Sequence, residues 1–181
     1  MLKKLILPFI VLSLSFATNL VAQNSDCTDL FVLEDTIYHS DAISGFGKTK
    51  EFDGNNLEEN KLFEEESNSI WYLITAPETG VFTFDIVTEN KSDDWDFLLY
   101  RNEKMFCRKL VDKVAEPIRS NLSRSPITGL SLNTKESFIT AGINNNYSKA
   151  VKVKKGDEFI LVVNNPKRAN GKHSLILHLP K

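Results

Sequence analysis

Ile70-Trp71-Tyr72-Leu73-Ile74-Thr75, then Ala76-Pro77-Glu78-Thr79-Gly80, then Val81-Phe82-Thr83-Phe84-Asp85-Ile86-Val87: these eighteen residues decide the fold. The first run is continuously apolar, aromatic and β-branched, as in a strand buried on both faces. The second carries Pro and Gly at turn spacing. The third alternates, with Phe82, Phe84 and Ile86 on one face and Thr83 and Asp85 on the other. The stretch therefore predicts two strands joined as a hairpin by a five-residue connection.

The same grammar extends outward. Thr28–Tyr38 predicts a first strand, Ala42–Phe52 a strand or loop, and Asp53-Gly54-Asn55-Asn56 a turn. Leu57–Phe63 predicts one or two helical turns. Asp96–Tyr100 predicts the next strand, and Lys109–Glu116 a short helix ended by Pro117. Ile118–Thr134 reads as a long polar loop. Strands follow at 136–141, 150–153 and 159–163, and Leu175, Leu177 and Leu179 alternate along the last one. About eight short strands separated by turns, without strand–helix alternation, predict an all-β fold: an antiparallel β-sandwich or jelly roll.

The chain has 181 residues, with 22 basic and 24 acidic side chains and a formal net charge of −2. This balance gives no electrostatic case for nucleic acid. Its 41% hydrophobic content fits a globular domain. At the N-terminus, Met1-Leu2-Lys3-Lys4 precedes the apolar run Leu5–Phe16 and then Leu20-Val21-Ala22. That order reads as a signal peptide over residues 1–22, leaving 23–181 as one domain with no transmembrane span after cleavage. Asn24-Ser25-Asp26 before Cys27 does not fit a lipobox. Cys27 and Cys107 are the two cysteines, and in an exported chain they are expected to form a disulfide.

Several motifs occur in a familiar order: Asn68–Tyr72, Pro77–Asp85, Asp94–Tyr100 and Gly156–Val163, with Pro117–Ser123 and Thr128-Gly129-Leu130 between them. This order resembles the bacterial pre-peptidase C-terminal (PPC) domain and its relatives in exported Bacteroidetes proteins, over roughly residues 65–180. The resemblance implies a jelly-roll-like, non-catalytic accessory domain. Such domains accompany exported enzymes, and some of their relatives bind calcium. Here the domain stands without a protease module.

Candidate chemistry concentrates at Asp93-Asp94-Trp95-Asp96. On a strand Asp94 and Asp96 share one face, and with Asp93 they are candidate calcium ligands. Such a site needs about four further oxygens, from Asp85, Glu66 or backbone carbonyls. The alternative is a solvated acidic strand start, with no cofactor. A glycosidase pair needs carboxyls facing each other across a cleft, which neighbours on one strand do not provide. No His-Glu-x-x-His or Gly-x-Ser-x-Gly motif occurs. His173 and His178, five apart, face opposite sides. Trp71, Tyr72 and Tyr100 read as core, and Trp95 as the aromatic available to a ligand, together with Arg119, Asn121 and Arg124. Lysines at 149–155 and 167–172 read as edge protection.

The sequence thus predicts an exported, non-enzymatic binding module, periplasmic or at the cell surface, for an envelope or extracellular protein or glycan. The alternatives are a secreted hydrolase or hydrolase inhibitor, and a structural part of an outer-membrane assembly.

Overall fold

The computed structural model describes residues 24–54, 61–142 and 145–181. The signal-peptide segment 1–22 and most of the 57–63 helical turn lie outside the described residues. Two mixed sheets pack face to face as a β-sandwich. The elements are β1 (Phe31–Val32), β2 (Ile37–His39), β3 (Ser69–Thr75), β4 (Gly80–Thr88), β5 (Asp96–Arg101), α1 (Phe106–Val111), β6 (Arg119–Asn121), β7 (Ile127–Ser131), β8 (Phe138–Ile139), β9 (Tyr147–Lys149), β10 (Val151–Val153), β11 (Glu158–Asn164) and β12 (His173–His178). The first sheet runs β1-β3-β11-β5-β6-β8 and the second β2-β12-β4-β7-β9, with β10 on β4. The central ladders are antiparallel, whereas β1–β3, β6–β8 and β7–β9 are parallel.

Two apolar clusters explain the two kinds of strand. Phe82, Phe84 and Ile86 of β4 meet Tyr72, Phe97, Leu99, Phe159 and Leu161 between the sheets. Trp71, Leu98, Tyr100, Ile160 and Val162 point to the other side of the first sheet, where Phe52, Phe63, Phe106 and Leu110 cover them. The first sheet is covered on both faces, so β3, β5 and β11 are continuously apolar. The second sheet is covered on one face, so β4 and β12 alternate. Each fully buried Phe stabilises the fold by about 2 kcal/mol.

The outer layer over the first sheet is stapled by Cys27–Cys107, whose Cα atoms are 5.7 Å apart. This disulfide ties the start of the described chain to α1. Helix α1 begins three residues before the expected Lys109 because Phe106 and Leu110, one turn apart, are the side chains it buries.

Some expectations change. β3 and β4 are not a hairpin. The connection 76–79 carries the chain from one sheet to the other, and β3 pairs with β11 instead. An apolar run marks a strand covered on both sides but not the sheet that contains it. The first predicted strand is two short ones, β1 and β2, one in each sheet. The expected loop 118–134 contains β6 and β7, whose Ser120, Asn121, Thr128 and Leu130 are buried. Among the described residues no helix is long and apolar enough to cross a membrane.

Candidate functional site

The antiparallel pairing of β5 with β11 places Asp96 opposite Asn164. Residues just before β5 therefore lie beside residues just after β11. The β4–β5 connection is folded by its own polar groups: Thr88 Oγ1 donates to the Asn90 carbonyl at 2.8 Å, and Asn90 Oδ1 accepts from Ser92 N at 3.0 Å. On the β11 side, Asn165 Oδ1 accepts from the Lys167 and Arg168 amides at 3.1 and 3.2 Å. This turn presents both basic side chains to the acidic ones.

Arg168 grips Asp93: Nη2 donates to Oδ2 at 3.0 Å, and Nε lies 2.8 Å from Oδ1. Lys167 Nζ is 3.4 Å from Asp94 Oδ2. Asp96 is held well above the usual carboxylate range by burial and by the Asp94 charge, while Lys167 and Arg124 oppose that shift. Among the described residues, Asp94 Oδ1, Asp96 Oδ1, Trp95 Nε1 and Asn165 Nδ2 are buried without a hydrogen-bond partner. A Cβ on Gly171 would lie 2.7 Å from Asn165 Nδ2 and 3.0 Å from the Trp95 ring. Glycine is therefore required where these groups crowd together.

The structure brings Asp93, Asp94, Asp96 and Arg124 to one corner. Among the described residues no three His, Cys, Asp or Glu side chains form a group able to hold a metal ion. Asp93 is paired with Arg168. Trp95 is 1% exposed and lies against His173, with ring centroids 4.5 Å apart, so its face is not open to a ligand. Asn121 is also buried, donating to the Asn145 carbonyl at 3.1 Å and accepting from Ser123 N at 3.0 Å. Arg119 lies at the other end of β6, donating to the carbonyls of Lys149 and Ala150 at 2.6 and 3.0 Å. Of the residues expected to meet a ligand, Arg124 is the one exposed at the corner. His173 is wholly buried and its pKa is pushed down to about 3, while His178 is exposed, so the two do face opposite sides.

Sequence reasoning missed a second carboxyl cluster. Glu66, at 0% exposure, accepts from Ser69 Oγ at 2.5 Å, Trp71 Nε1 at 3.1 Å and Glu51 N at 2.9 Å. Glu51 Oε1 accepts from Cys27 N at 3.0 Å. Burial first, then the Glu66 and Asp26 charges, push Glu51 up to about 8, so at neutral pH Glu51 keeps its proton. Beside it lies a recess of about 180 Å³ between Glu51-Phe52 and residues 110–117, with Tyr100 among its lining residues. Glu66 ends an acidic run, Glu64-Glu65-Glu66, which in sequence looks like solvated surface.

The fold and these sites define a disulfide-linked β-sandwich with a charged corner. No family model matches the sequence, and no curated protein matches it. One similar solved structure is CorA, a surface-associated copper-binding protein important in copper acquisition by Methylomicrobium album BG8. It is 12% identical with a TM-score of 0.43, over 86% of this chain and 96% of that chain. At these values the likeness carries no argument about metal or function.

Proposed function

We propose that this protein is an exported, non-enzymatic β-sandwich module that contacts an envelope or extracellular protein or glycan through the Asp93–Asp96 corner. The carrying observation is exposed Arg124 and half-exposed Lys167 set beside the Asp94 and Asp96 carboxyls at this corner. A partner surface offering acceptors to these two cations engages the corner through its exposed charges. Export is supported by the Cys27–Cys107 bond, which persists in oxidising compartments.

The test is affinity capture from an envelope extract of the source organism, run with calcium and with chelator. Wild type is compared with the charge-reversed pair Arg124→Glu and Lys167→Glu. The proposal expects one partner whose recovery drops about tenfold or more in the variant. Equal recovery by both forms contradicts it.

A further inference from the structure

The outer face of the second sheet carries a separate arrangement. Across five strands, Ile37, Ile176, Asp85, Gly129 and Tyr147 stand in one row. Phe84 and Ile86 point inward, so Asp85 and its row neighbours point outward. Tyr147 Oη donates to Asp85 Oδ1 at 2.8 Å, although the two residues are on β9 and β4 with β7 between them. Two strand spacings are about 9.6 Å, so the phenol must lie along the sheet. Gly129 is the β7 residue beneath it, and it is buried despite facing outward. A Cβ there would meet the Phe84 carbonyl oxygen at 2.0 Å. On the other side, His178 Nε2 lies 2.8 Å from Asp85 Oδ2, with the His178 side chain 53% exposed. Each Asp85 oxygen thus holds one partner and keeps a lone pair.

We propose that this Tyr147–Asp85–His178 shelf is a binding site for a neutral pyranose glycan. A pyranose has an apolar face of C–H groups and a rim of hydroxyls that both donate and accept. The fixed Tyr147 ring suits the first. The remaining Asp85 lone pairs and His178 Nδ1, which has no partner among the described residues, suit the second. The Asp85 charge at the centre disfavours acidic sugars. Exposed Ile37 and Ile127 on the same face extend the apolar surface along the sheet. Tyr147 and Asp85 are locked by each other before a ligand arrives, which lowers the ordering cost of binding. The site shares no residue with the corner.

The experiment titrates the purified protein with neutral hexasaccharides of glucose (β-1,4 and β-1,3), mannose and N-acetylglucosamine, and with an acidic alginate hexasaccharide. Calorimetry and the tyrosine and histidine NMR signals are read together. At least one neutral sugar is expected to bind and to shift Tyr147 and His178. Tyr147→Ala should weaken that binding about tenfold or more, and Tyr147→Phe, which keeps the ring, by about fivefold. Val111→Ser, at an exposed position on α1 over the other sheet, should leave it unchanged. Thermal melts confirm that the variants fold. Binding of none of the neutral sugars, preference for alginate, or equal affinity in a folded Tyr147→Ala protein overturns the proposal.

Discussion

Replacing Glu51 by Gln isolates a buried proton. In the folded protein Glu51 holds its proton up to about pH 8, against an ordinary value of 4.5. An unfolded chain releases that proton near 4.5. Between the two values the folded state binds more protons, so its stability is full below pH 4.5 and falls as pH rises through 8. Each pH unit of that window is worth at most about 1.4 kcal/mol. Because the side chain is only partly buried, solvent screening reduces the total to on the order of 2 kcal/mol. Gln keeps the acceptor for Cys27 N and has nothing to titrate. The variant should therefore gain on wild type by about 2 kcal/mol between pH 5 and pH 8.5. Urea unfolding with the disulfide intact, repeated across that range, measures the difference. Parallel pH profiles for the two proteins would refute the buried-proton assignment. So would a Gln variant that loses ground as pH rises.

Other expectations follow from single contacts. Replacing Cys27 and Cys107 by Ser should lower stability by about 4 kcal/mol in chemical denaturation, since the bond closes a separation of 80 residues. His173, neutral because burial pushes its pKa down to about 3, should show the opposite pH trend to Glu51. The unfolded chain takes up a proton near pH 6.5 that the folded chain refuses, so stability falls with acidification, and His173→Gln should flatten that limb. Phe84→Ala, which empties a fully buried position, should cost about 3–5 kcal/mol, measured by thermal and urea unfolding.

The sandwich was legible where burial differs between the two faces of a strand. Phe82, Phe84 and Ile86 alternate with Thr83 and Asp85 because the second sheet has a covered and an outer side. The continuous run at 70–74 was equally legible as a buried strand, yet its partner was not. Sheet membership is set by contacts far along the chain, such as Trp71 opposite Val162. The acidic corner stood out by charge density, but its counter-ion Arg168 is 75 residues away. Trp95 between two aspartates looks exposed in sequence. The turn built on Asn90 instead tucks it under His173. Glu66 was weighed as a calcium oxygen, but its burial was hidden because nothing in an acidic run marks the carboxylate that Ser69 and Trp71 hold inside. Cys27 and Cys107 were readable because two cysteines allow one pairing.

The central claim, a corner that engages an envelope or extracellular partner, is tested most directly by photo-crosslinking in the source cells. A photoreactive residue is placed at Arg124, and separately at Val114, which is exposed near the disulfide-bearing layer. The account predicts a discrete protein or glycan adduct from position 124 and none of that species from position 114. An adduct from 114 alone, or none from 124, would contradict it.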